Sequence, residues 1–188
     1  MIFHRSARPT RQDQTREWAR CVVRSGLLSA DEVLAELTAV IAADLPEIVD
    51  APAEASRWFE EERAAWIRDA CAWPRPTDFD RIHAAFTELR QRGYLVLEGC
   101  LDHWAAQDAL AVSPNVPGVL WFVPADVWHA IDEPMLEINL WHPSTSNASA
   151  ADELTHEVLG VLSEYDLLAT FDEGRIEVAA RWNRNPEN

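Results

Sequence analysis

The residues of this chain best suited to chemistry lie in its second half. Cys100, Asp102 and His103 stand within four positions of one another. A thiolate held by helix-terminal amides beside an imidazole is the beginning of a cysteine nucleophile. One cysteine and one histidine supply neither a third group to orient the base nor an oxyanion site, so the spacing favours a small buried thiol next to a surface histidine. His103, His129, His142 and His156 share this half, with Asp126 three residues before His129 and Glu153 three residues before His156. Helical spacing puts each such pair on one face, and imidazole with carboxylate suits zinc or manganese. His129, His142 and Asp126 are therefore the candidate metal ligands. No predicted helix carries two histidines, so neither a metal nor any other cofactor is expected. The adjacent carboxylates Asp132-Glu133, Asp152-Glu153 and Asp172-Glu173 offer the pair that glycoside hydrolysis needs. A proline-bounded loop, a helix N-terminus and a turn account for them more simply.

Charge sets the chain apart. Sixteen basic residues, every one an arginine, stand against 32 acidic ones, for a formal net charge of -16. The absence of lysine removes Schiff-base and phosphate-loop lysines. The negative excess argues against nucleic acid and anionic membrane as partners. A Gly-rich phosphate loop and a Gly-x-Ser-x-Gly elbow are missing too, which excludes P-loop nucleotide hydrolysis and serine-hydrolase chemistry of that type. The acidity is uneven. Residues 1–92 hold 13 Arg against 16 acids, residues 93–188 hold 3 against 16, and no Arg occurs from Gly93 to Gly174. Of nine tryptophans, Trp104, Trp121, Trp128 and Trp141 fall in that Arg-free stretch. Acidic and aromatic groups together suit a surface that receives Arg or Lys side chains through ion pairs and cation–π contacts.

The elements that must position these residues follow from hydrophobic period and punctuation. After a loose tail over residues 1–10, Trp18, Cys21 and Val22 predict a helix over 12–24 that Gly26 stops. Ser29 with Glu32 is a capping-box pattern opening a helix with Val33, Leu37, Ile41 and Leu45 on one face. Pro46 to Ala55 is expected to connect, with Ser56 capping a third helix that carries Phe59, Trp66, Ile67 and Ala70. Thr77 caps a fourth, where Phe79, Ile82, Phe86 and Leu89 repeat at 3-4-3 spacing. The period then changes. Strands are predicted over 94–98, 118–123 and 135–141, short helices near 102–112 and 125–131, a longer helix over 152–165, and a closing β-hairpin of 167–171 with 175–182. The fold class is α+β, a helical part of about four helices over 11–92 and a mixed sheet of about five strands over 93–184, expected to form one compact unit. The longest charge-free run, Ala109 to Ala125, is broken by prolines and too short to span a bilayer, and the N-terminus has no apolar leader. With three cysteines, odd in number, widely spaced and without a Cys-x-x-Cys motif, the expected compartment is the cytoplasm.

The run Trp73, Thr77, Asp78, Asp80, Arg81, Ile82, Ala85, Phe86, Leu89 and Gly93, followed by Leu95-Val96-Leu97, resembles an actinobacterial family of uncharacterised soluble proteins with a domain of unknown function. The Gly118 to Phe122 strand, Asp126, and the closing Arg175, Ile176, Val178, Trp182 and Arg184 agree with it in order. After the first strand the chain departs from the family pattern, with Glu98-Gly99-Cys100-Leu101-Asp102. The resemblance implies a helical N-terminal part and an α/β C-terminal part, and no activity. The residues themselves favour binding over catalysis. The expectation is a factor that binds a protein partner, a basic one, as an inhibitor, immunity or regulatory protein does. Glu98, Asp102, Trp104, Asp126, Trp128, Asp132, Glu133 and Glu137 are its candidate contact residues. The alternative is a small metal-dependent or hydrolytic enzyme using the histidines and carboxylates of the same half.

Overall fold

Thr10, Ser29 and Thr77 each accept a hydrogen bond from the backbone three residues on, and the acid at that position bonds back to the cap's own amide. These capping boxes satisfy helix-terminal amides that would otherwise be orphaned. They open α1 (Arg11–Ser25), α2 (Ala30–Asp44) and α4 (Asp78–Gln91). Gly26, at φ 59, ends α1 in the left-handed conformation that glycine adopts without strain. The computed structural model describes residues 8–113 and 115–186. Residues 1–7 of the expected tail and Pro114 of the charge-free run lie outside the described residues. Thr10 is not tail but helix cap.

The third helix corrects the sequence reading. This helix, α3, runs from Ala51 to Ala70, six residues earlier than a Ser56 cap allows. Asp50 Oδ1 accepts from the Ala53 amide at 3.0 Å, while Ser56 Oγ donates back to the Pro52 carbonyl inside the helix. Pro52 looks like a breaker in sequence, but in the first turn its missing N–H has no intrahelical partner to lose.

The chain divides into two compact units, Met1–Asp69 and Ala70–Asn188. In the first, α2 buries Val33, Leu37 and Ile41, and α1 buries Ala19, Val22 and Val23. Full burial contributes about 1.5–3 kcal/mol for each Leu or Ile side chain. Trp58 is 2 % exposed, with Arg16 4.8 Å over its ring and its indole N–H on Glu54. Arg16–Glu61 and Arg24–Glu62 tie α1 to α3. The balanced charge of this part of the sequence is thus spent on neighbouring helices.

The second unit holds α4 with every later element, so a helix that charge and period group with the first three packs with the sheet. Strands β1 (Leu95–Leu97), β2 (Val119–Trp121), β3 (Leu136–Trp141), β4 (Ala169–Asp172) and β5 (Arg175–Val178) form one mixed sheet in the order β1-β2-β3-β5-β4. Only β1 and β2 run parallel, joined through α5 (His103–Ala111). The short helix α6 (Pro124–Asp132) joins β2 to β3, and α7 (Glu153–Glu164) precedes the hairpin. Glu173 and Gly174, at φ 42 and 91, turn that hairpin with the two positive values a type I′ turn requires. The last strand stops at Val178, four residues short of the expected 182, and Trp182 instead donates its amide to the Ala130 carbonyl at 2.7 Å.

Alternation gives the sheet two unlike faces. One carries Val96, Leu120, Leu136, Ile138, Leu140, Ile176 and Val178, all buried. Helices α4 and α7 supply Phe86, Leu89, Val158 and Leu162 to the same buried core. The other face is split. Leu95, Leu97, Val119, Trp121 and Trp141 pack with Ala106 and Leu110 of α5. Beyond the cover of α5 the same face turns polar.

Candidate functional site

The register of three strands builds that polar half. Glu137 lies directly opposite Glu177, and Glu177 opposite Thr170. One step along the strands, Asn139 faces Arg175 and Arg175 faces Asp172. All six side chains project from one face, as period 2 demands. Thr170, Asp172 and Arg175 are exposed, and Glu137, Asn139 and Glu177 half-buried. Arg175 Nη1 donates to Glu137 Oε2 at 2.8 Å, and Asn139 Nδ2 to the Trp121 carbonyl at 3.3 Å. The first turn of α6 borders this floor with Asp126, whose Oδ2 accepts from the Val123 amide at 2.8 Å. Of the four carboxylates here, Asp126, Glu137, Asp172 and Glu177, it is Glu137 that the Arg175 guanidinium pairs with. Like charges directly opposite on neighbouring strands destabilise a sheet. The Glu137–Glu177 pairing is therefore a feature the fold tolerates rather than one it needs.

Asp126 registers the field. Burial, and secondarily the charge of Glu137, push its carboxyl above the ordinary 3.8, against the pull of the Val123 amide, Arg175 and His129. A carboxyl whose pKa is raised on folding favours the fold while protonated, and that contribution is lost as pH rises through the folded-state value. Asp126→Asn keeps an oxygen for the Val123 amide and removes the charge. The variant should be more stable than the parent at neutral pH, with the gain vanishing below about pH 3.8, where the parent carboxyl is protonated as well. Urea melts at the two pH values check this, and an equal or reversed difference at neutral pH would contradict it.

The structure brings together only part of what the sequence proposed. Asp126 and Glu137 meet at the floor. Glu98 follows β1 and pairs with Arg90 at 2.6 Å, which occupies it internally. Asp102 caps α5, accepting from the Ala105 amide at 2.9 Å. Asp132 and Glu133 are exposed at the C-terminal end of α6, where the Asp132 carbonyl accepts from Arg181. The aromatic expectation needs correction. Trp121 and Trp141 are each 7 % exposed and belong to the core under α5, their rings edge to face at 4.7 Å. Trp128 is half-buried, and its indole N–H, like that of Trp121, is buried without a hydrogen-bond partner. Trp104 alone of the four stands in solvent, at 62 % exposure.

Catalytic and metal arrangements fare differently from the acidic floor. Cys100 packs against the apolar cluster under α5, and burial pushes its thiol up, which opposes thiolate formation. His103 is exposed and packs on Trp104, ring centres 4.5 Å apart. His142 Nε2 lies 2.8 Å from Asp152 Oδ2, an oxygen that also accepts from the Ser149 amide at 2.6 Å. Those bonds, the Ser149 amide first, hold the Asp152 carboxyl below its usual range. His129 is exposed on α6. Among the described residues no three His, Cys, Asp or Glu side chains gather to hold a metal ion, and the candidates His129, His142 and Asp126 are not brought together. In the first unit a cleft of about 450 Å³ is lined by Arg11, Gln14, Thr15, Trp18, Val40 and Asp44, with Arg11 and Asp44 paired at 3.1 Å.

Sequence reasoning missed Asn139, Thr170, Asp172, Arg175 and Glu177 as one group. The signal was present in the alternation of β3, which turns Glu137 and Asn139 outward, and in the hairpin that turns out Arg175 and Glu177. What was missing is that β5 inserts between β3 and β4.

Residues 8–186 match the family model of a domain of unknown function, DUF6891. No curated protein and no solved structure matches the chain. Among the described residues no helix is long and apolar enough to cross a membrane.

Proposed function

We propose that this chain, which belongs to the DUF6891 family, is a protein-binding factor that receives Arg or Lys side chains of a basic partner on the open half of its sheet. An inhibitor, immunity or regulatory protein works in this way. One observation carries the reading: Glu137 and Glu177 face each other across adjacent strands on an uncovered surface where four carboxylates meet one arginine. A partner's cation placed there relieves a repulsion already present in the free protein, so binding gains more than an isolated surface ion pair would. The strands hold the carboxylates rigidly, which limits the ordering entropy of recognition.

A cytoplasmic, actinobacterial setting belongs to the same proposal. It rests on the family resemblance and on three cysteines, Cys21, Cys71 and Cys100, that are odd in number and widely spaced in the sequence.

The test is titration of a fluorescent oligoarginine peptide into the full chain at graded salt, with oligoglutamate as control. Oligoarginine should bind at low ionic strength and weaken steeply as salt rises, because the attraction is screened over about 10 Å at 0.1 M. No binding at low salt, or binding insensitive to salt, counts against the reading.

A further inference from the structure

Five large apolar side chains are prominently exposed among the described residues, and three of them, Leu101 at 83 %, Trp104 at 62 % and Val112 at 80 %, share one side of α5. At 3.6 residues per turn Trp104, Asp108 and Ala111 align, with Leu101 before the helix and Val112 at its C-cap, so one carboxylate stands among exposed apolar side chains. The opposite side of the same helix buries Ala106 and Leu110 on the sheet. A surface helix needs one apolar side, and α5 and its flanks expose large apolar side chains besides the buried one. Large exposed apolar side chains gathered on one short element point to an interaction site more than scattered single residues do. Asp108 lies among these side chains and Asp102 just before them, and the nearest arginines in sequence lie outside residues 93–174.

We infer that the outer face of α5 receives an amphipathic helix of the partner, its apolar stripe seated on Leu101, Trp104 and Val112 and its flanks carrying Lys or Arg. Charge selects this occupant. A second copy of α5 would set Asp102 and Asp108 against their own counterparts with no cation between them, whereas a basic helix pairs with both. Helix α5 packs on the same side of the sheet as the carboxylate floor, with its outer face turned away from the sheet. A helix seated on that outer face leaves Glu137 and Glu177 open, so the two surfaces can be probed separately. In its charge component the inference rests on the protein-binding reading above, and its apolar component stands apart from it.

Two probes separate the two. The full chain is titrated with a labelled synthetic Leu/Lys amphipathic helix, its Leu/Glu counterpart and oligoarginine. The variant Trp104→Ser/Val112→Ser alters exposed side chains only and should melt like the parent, which a thermal scan verifies. It should weaken the Leu/Lys helix about tenfold and leave oligoarginine unchanged, while the Leu/Glu helix binds neither protein. Undiminished binding of the Leu/Lys helix by the variant overturns the inference and leaves the carboxylate floor standing. Loss of that helix in the variant, with no oligoarginine binding to the parent, supports the α5 face and overturns the floor. A parent that sediments as a dimer while the variant is a monomer makes a second copy the occupant and overturns the choice of a basic helix.

Discussion

Replacing Phe122 by alanine will remove about 3–5 kcal/mol from the stability of the second unit. The ring is fully buried, its centre 6.1 Å from that of Phe86 on α4 and 5.8 Å from that of Trp182 near the C-terminus. It therefore links a helix, the end of β2 and the closing segment in one aromatic cluster. The backbone of Phe122 bonds independently of its side chain, donating to Leu97 and accepting from Cys100, so β1 and β2 keep their pairing when the ring goes. The loss is the transfer energy of a benzyl group with the cavity it leaves, and rigid sheet packing limits collapse into that space. Domains of this size are stable by about 5–15 kcal/mol, so the variant should be folded but near its limit. Phe122→Leu, which fills most of the volume, should lose clearly less. Guanidinium melts followed through tryptophan fluorescence measure both. A loss under about 1 kcal/mol for the alanine variant would mean that this cluster does not organise the unit.

Neutralising the floor should act on binding with little effect on stability. Glu137→Gln/Glu177→Gln keeps shape and volume and removes the directly opposed charges, so the sheet should be no less stable than before. Each lost carboxylate removes about 0.5–1 kcal/mol of attraction for a partner's cation, and Arg175, freed from Glu137, adds repulsion. Oligoarginine affinity should fall about tenfold or more, one factor of ten being about 1.4 kcal/mol. Arg175→Gln makes the opposite prediction. It takes away the one guanidinium that competes for Glu137, and affinity should rise. Glu36→Gln/Glu47→Gln changes net charge by the same amount as the floor pair but alters exposed acids of the first unit. It should leave affinity within about twofold, because neither residue belongs to the floor. If all three variants simply track net charge, the attraction belongs to the whole protein and the floor has no special part in it.

What the sequence made legible is what local chemistry determines. Ser29 with Glu32 and Thr77 with Asp80 close their caps within one turn, and the 3-4-3 repeat of α4 reads as a helix because its partners lie along the same chain. Leu136, Ile138 and Leu140 are buried as their alternation requires. The start of α3 was obscured because Pro52 reads as a breaker unless the helix is known to begin just before it. The tryptophans were legible only as a composition. Trp121 and Trp141 go to the core because α5 folds over them, and a crossover packing of that kind is a tertiary fact. The floor was half legible. Outward positions of β3 and of the hairpin are readable, but Glu137 meets Glu177 only because β5 lies beside β3, a pairing with more than thirty residues between the strands. Acidity in the sequence therefore located the right half of the chain and scattered the candidate residues around it. Glu98 and Asp102 proved to be engaged in an ion pair and a cap.

The most direct measurement is a map of amide chemical shifts in the full chain as oligoarginine is added. The carboxylate floor predicts that the largest shifts fall on Glu137, Asn139, Thr170, Arg175 and Glu177, saturating together, and that they vanish in Glu137→Gln/Glu177→Gln. Shifts spread over the exposed acids of the first unit, around Glu36 and Glu47, or no saturable shift at all, would contradict it.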